Sequence, residues 1–152
     1  MTKQSILLAS AMLLAQATFG ISMASAQGIQ HFAVLKGGNE VSPGGAAAAG
    51  DLDGSGTASV TVPSAGRICF SIVVQGIGAP TLAHIHRAQA GQNGPIVVPL
   101  VPPSTGNPGT SSGCVSGIAA ALLTAIRNMP GEFYVNVHNA AFPLGAVRGQ
   151  LF

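Results

Sequence analysis

His84, His86 and His138 are the residues of this chain whose type and spacing best suit chemistry. Side chains two apart on a β-strand leave the same face, so in Ala83-His84-Ile85-His86 both imidazoles point one way and Ile85 the other. In Phe133-Tyr134-Val135-Asn136-Val137-His138 the last residue shares a face with Tyr134 and Asn136. If the two segments pair or pack side by side, three imidazoles converge. Three neutral histidine nitrogens with an open position suit Cu(II) or Zn(II). The competing reading is structural, with the histidines acting as donors that fix backbone between loops. Arg148 lies on the strand after His138, with Gln150 on the same face. Either could donate to the site from behind or anchor an anionic ligand. The plainer alternative for Arg148 is an exposed strand charge.

Other constellations carry less. Cys69 and Cys114 lack CxxC spacing, and an even cysteine count in an exported chain reads as a Cys69–Cys114 disulfide. Asp51-Leu52-Asp53-Gly54-Ser55-Gly56 resembles the first half of a calcium loop, but Val62 stands where the bidentate Glu would be, so a solvated turn is expected. Gly109-Thr110-Ser111-Ser112-Gly113 matches a nucleophile elbow in letters only, because it falls in a Pro/Gly/Ser-rich stretch read as a loop. The carboxylates Glu40, Asp51, Asp53 and Glu132 are scattered and form no acid–base pair.

Period-2 alternation supplies the elements that must position the histidines. Phe32 and Val34 open a first strand; Ala58, Val60 and Val62 mark a second; Ile68, Phe70, Ile72 and Val74 mark a third, with Cys69 off the apolar row. Leu82–His86, Ile96–Leu100, Phe133–His138 and Ala146–Leu151 complete the set. Ser116–Asn128 has helical spacing through Ile118, Leu122, Ala125 and Ile126, with Pro130 beyond its end. Gly37–Gly56 reads as a flexible loop by composition, and His31 sits near a flexible N-terminus. The expected fold is all-β, an immunoglobulin-like or Greek-key β-sandwich or barrel with one short crossover helix.

The N-terminus has the three parts of a secretory signal peptide over residues 1–26: Lys3, the apolar run Ile6–Ala17, and Ala24-Ser25-Ala26 before a mature start at Gln27. Residues 27–152 are one domain in size, with no second long apolar segment and hence no expected membrane span in the mature chain. Location is therefore secreted or periplasmic. Charge is sparse, Trp is absent and Tyr occurs once, so there is neither a basic stripe nor an aromatic platform for nucleic acid.

Ala83-His84-Ile85-His86, Asn93-Gly94-Pro95-Ile96-Val97-Val98, Phe133-Tyr134-Val135-Asn136-Val137-His138 and Gly145-Ala146-Val147-Arg148-Gly149-Gln150-Leu151 together resemble the CHRD domain. That domain is repeated in chordin and found singly in microbial secreted proteins. The resemblance runs from about Phe32 to Phe152 and implies an extracellular immunoglobulin-like β fold. The cysteine-rich modules that accompany the domain in chordin are missing here, so growth-factor binding does not carry over. The H-x-H strand is also similar to the copper strand of copper–zinc superoxide dismutases, without their bridging histidine or zinc-binding His/Asp loop.

The sequence thus points to an exported CHRD-type β domain with a histidine-lined ligand site suited to copper or zinc. The alternative is a non-catalytic extracellular interaction or matrix module with structural histidines, its partner an unidentified extracytoplasmic ligand or protein. An enzyme ranks third.

Overall fold

A computed structural model describes residues 28–63 and 66–152. The expected signal peptide, residues 1–26, and the start at Gln27 lie outside these residues.

Alternating side chains build the sheet. Strand β1 is Ile29–Lys36, β2 Ser55–Val62, β3 Arg67–Gln75, β4 Pro80–Arg87, β5 Ile96–Leu100, β6 Gly109–Ser116, β7 Phe133–Asn139 and β8 Val147–Gln150. β3 buries Ile68, Phe70, Ile72 and Val74 and turns Arg67, Ser71 and Gln75 to solvent. β2 buries Ala58, Val60 and Val62 against them. The strands run in the order β5-β4-β7-β8-β1-β2-β3-β6, every paired neighbour antiparallel. The result is a nearly closed barrel-like sheet with β5 and β6 as its two edges. Of the two forms expected, sandwich or barrel, the chain takes the barrel.

The single α-helix, α1 (Ala120–Asn128), lies in the crossover from the edge strand β6 to the interior strand β7. It buries Leu123, Ala125 and Ile126, and Pro130 follows its end as the spacing predicted. It begins four residues later than the spacing suggested, because Ser116 still belongs to β6.

Three expectations need correction. Gly109–Ser116 is a strand rather than a loop: it pairs with β3 along its whole length and sets Cys114 opposite Cys69. The elbow-like letters are therefore held extended, which is incompatible with a strand-to-helix turn at the serine. β1 turns Phe32 and Val34 outward and buries His31, Ala33 and Leu35, so His31 is a core residue. Phe32 finds its contact on the surface, with its ring 6.5 Å from that of Phe152.

The third correction concerns Gly37–Gly56, which is an ordered strap. It contains the bridge Val41↔Ala47 and the bond from Asp51 N–H to the Ala146 carbonyl (2.8 Å). A Cβ at Gly37 would run into the Asp51 backbone. Glycine there permits close packing of two chain segments, which composition alone reads as flexibility.

Cys69 and Cys114, 45 positions apart in sequence, form a disulfide across β3 and β6. Closing a loop of that length contributes about 4 kcal/mol in the chain-entropy treatment, toward the upper end of what such bridges deliver. Reduction should lower the melting temperature by roughly 10 °C. Calorimetry with and without a reductant that opens the bridge checks this, and an unchanged transition would contradict it.

Candidate metal centre

The strand register assembles the centre. Between β4 and β7, His86 faces Tyr134, His84 faces Asn136, and Leu82 faces His138. Between β7 and β8, Tyr134 faces Gln150 and Asn136 faces Arg148. Period 2 then places His84, His86, Tyr134, Asn136, His138, Arg148 and Gln150 on one face. Ala83, Ile85, Phe133, Val135, Val137 and Val147 take the other face, in the core.

The outer face is nevertheless buried. Every residue of β7 is enclosed, a pattern that requires cover on both sides. The strap after β1 and the segment after β4 supply it, tied together by Asn93, whose Nδ2 donates to the carbonyls of Val41 and Ser42 (both 3.0 Å). A pocket of about 140 Å³ under Glu40, Val41 and Pro43 reaches His86, Tyr134 and Asn136.

His86 alone of the three histidines lines that pocket, but all three meet on this face, each offering one ring nitrogen, and these nitrogens all lie within 4.8 Å of one another. His84 Nδ1 is 3.2 Å from His138 Nε2. His138 Nδ1 lies 3.1 Å from the Pro143 carbonyl and His86 Nδ1 lies 3.0 Å from the Gly94 carbonyl. A carbonyl oxygen only accepts, so both Nδ1 atoms carry the proton and both Nε2 atoms carry a lone pair. His86 Nε2 is buried without a hydrogen-bond partner among the described residues. In the metal-free protein His84 Nδ1–H donates to His138 Nε2. Moving that proton to His84 Nε2 would turn three lone pairs toward one point. Carbonyls holding the far nitrogen of a ring are the usual device for orienting metal-binding imidazoles.

All three rings favour the neutral form. Burial pulls the His84 pKa down to about 4, with the neighbouring His138 and His86 adding to the shift. Burial also lowers His86 and His138, opposed in each by the carbonyl bonded to Nδ1. An unfolded chain takes up protons on these groups as pH falls below about 6.5, before the folded chain does. Stability of the metal-free protein should therefore decline as pH drops from about 6.5 toward 4. Glu40, whose pKa burial raises, acts in the opposite sense. The pH slope of urea stability should accordingly be shallower in His84→Gln than in the wild type; equal slopes would refute the assignment.

Arg148 is 1% exposed, which corrects the reading of an exposed strand charge. Its guanidinium sits 3.4 Å from the centroid of the Tyr134 ring, and Tyr134 stacks on His86 at 4.7 Å with the planes 6° apart. Nη1 donates to Asn93 Oδ1 (3.2 Å), and Nη2 to the carbonyls of Gln92 (2.6 Å) and Gln89 (3.3 Å). Those donors organise the loop that carries Gly94. Gln150 does similar work, donating to the carbonyls of Ala88 and Gly131 (both 2.8 Å).

Glu40, Asn93 and Tyr134 belong to this network and were not singled out as site residues from the sequence. Glu40 accepts from the Val41 N–H (3.0 Å) and from Asn136 Nδ2. Gly145 has φ 146°, and a Cβ there would collide with the Glu40 carboxylate. Tyr134 alone left a trace in the sequence, since alternation puts it on the face of His138.

A family model described as CHRD domain matches residues 31–151. No curated protein and no solved structure matches the chain.

Proposed function

The chain belongs to the CHRD-domain family, and from that premise we propose that it is an exported β domain that binds one copper or zinc ion through His84, His86 and His138. One observation carries the reading: two imidazoles have Nδ1–H tied to main-chain carbonyls and present bare Nε2 atoms to a shared space, where the third ring also offers a nitrogen. Three neutral nitrogens and an open fourth position suit either metal. Lys3, the apolar run Ile6–Ala17 and Ala24-Ser25-Ala26 support export, as does the Cys69–Cys114 disulfide, a bond that persists in oxidising compartments.

The rival reading, a non-catalytic interaction module, treats the same two hydrogen bonds as loop fasteners. The partnerless, enclosed Nε2 of His86 favours the metal because it shares its space with two further imidazole nitrogens, whereas the equally partnerless Nε2 of His31 belongs to no such group among the described residues. Tag-free protein recovered from an exporting host decides both halves. Its intact mass should begin at Gln27, and elemental analysis after copper or zinc loading and desalting should find one equivalent. Metal well below one equivalent would select the interaction module, and a mass beginning at Met1 would remove the export reading.

A further inference from the structure

Resting on the metal reading above, we infer that the centre is built for monovalent copper, with Arg148 as the residue that sets this preference. The ligands contribute no charge: the group comprises three imidazoles, and no thiolate or carboxylate joins it among the described residues. Both cysteines are committed to the disulfide. Glu40, which lines the same pocket as His86, gives its carboxylate oxygens to the Val41 N–H and Asn136. The ligating atoms themselves therefore offset none of the charge of an ion bound here, and Glu40, whose charge interacts with that of Arg148, stays outside the ligand set.

That charge would sit in an enclosed place beside a fixed cation. His84 and His138 are 8% and 7% exposed. The cost of taking an uncompensated ion out of water rises with the square of its charge, so a divalent ion is penalised about fourfold more than a monovalent one. Arg148 adds repulsion of the same sign. Its strand, β8, flanks β7 on the side opposite β4, and its guanidinium rests on the Tyr134 ring that stacks against His86. Repulsion by this cation scales with the charge of the ion, so it too weighs more on Cu(II) and Zn(II) than on Cu(I).

Coordination number points the same way. Cu(II) and Zn(II) would fill the open position with a further ligand such as water, whereas Cu(I), with a filled d shell and a single charge, is satisfied by the three nitrogens alone. The 3.2 Å between His84 Nδ1 and His138 Nε2 is already an approach that two nitrogens on one small ion require.

The test titrates the full chain anaerobically with Cu(I) against a chromophoric Cu(I) chelator, and separately with Cu(II) and Zn(II) against chelators of known affinity. The Cu(I) dissociation constant should lie below both others by on the order of 100-fold. Arg148→Gln, which removes the charge, should narrow that gap by about tenfold. Arg148→Lys, which keeps the charge but not the guanidinium fork, should retain it. If Arg148→Gln does not fold, the wild-type ratio still decides the monovalent preference, and a gap lost in a folded Arg148→Lys would overturn the role given to the charge. Cu(II) or Zn(II) bound at one equivalent as tightly as Cu(I) would overturn the monovalent preference and leave the metal reading standing. A wild-type preference for Cu(I) that Arg148→Gln leaves unchanged would overturn the role of Arg148. No ion held at one equivalent would overturn the metal reading and this inference with it.

Discussion

His138→Ala should abolish tight metal binding while the domain remains folded. His138 supplies the nitrogen nearest to His84, and removing it leaves two ligands on one strand. Loss of a group behind a ligand already costs roughly 10- to 100-fold in metal affinity, so loss of the ligand itself should exceed that. The fold should persist because Phe133, Val135 and Val137, on the core face of β7, are untouched. Stability should fall by about 1 kcal/mol, the worth of the bond from His138 to the Pro143 carbonyl. His31→Ala should do the reverse, leaving metal binding intact but destabilising the domain, since His31 fills a buried position on β1 far from the cluster in strand order. Isothermal titration and urea denaturation of both variants check this pair. Tight binding retained in His138→Ala, or lost in His31→Ala, would contradict the assignment.

The largest stability change expected on the outer face is at Arg148. Arg148→Ala should destabilise the domain by about 3 kcal/mol, because breaking a buried charged network strands the carbonyls of Gln89 and Gln92 and the side chain of Asn93. The contact with the Tyr134 ring is lost as well. Arg87 is the control. It is also on a strand and paired with a carboxylate, Glu132 at 2.9 Å, but both partners are substantially exposed. Arg87→Ala should cost less than about 1 kcal/mol. Equal losses in the two variants, measured by urea denaturation, would show that Arg148 is not the organiser of the loop after β4.

These two arginines show where sequence reasoning succeeds and where it stops. Alternation placed Arg148 and Gln150 on one face of the strand after His138, and the register shows that this is the face of the histidines. It could not show that the face is covered, because the cover comes from segments remote in sequence. Glu40 meets Asn136 across 96 positions, and Asn93 meets Val41 across 52. Composition misled at Gly37–Gly56 for the same reason, since the glycines there answer to neighbours that local reading does not see. β6 was invisible for a different reason. Gly109–Ser116 has no apolar row, and its only fully buried residue is a glycine; it becomes a strand because β3 offers a complementary edge along its length. By contrast β3, with four apolar residues in strict alternation, was legible in full. So was the helix ending before Pro130, and the pairing of Cys69 with Cys114.

The gap in the barrel has a consequence for life at high concentration. A sheet that fails to close leaves unpaired backbone on two strands, an invitation to other chains to add on and polymerise. β5, one of those strands, is only five residues long and carries Pro99 within it. Proline lacks the N–H that a newcomer would need, and is tolerated on outermost strands for that reason. β6, the other, is fastened covalently to its inner neighbour through Cys114, so it cannot peel away to recruit a different partner. One rim is thus chemically blunted and the other riveted, which equips an incompletely closed barrel to remain dispersed rather than grow into fibres.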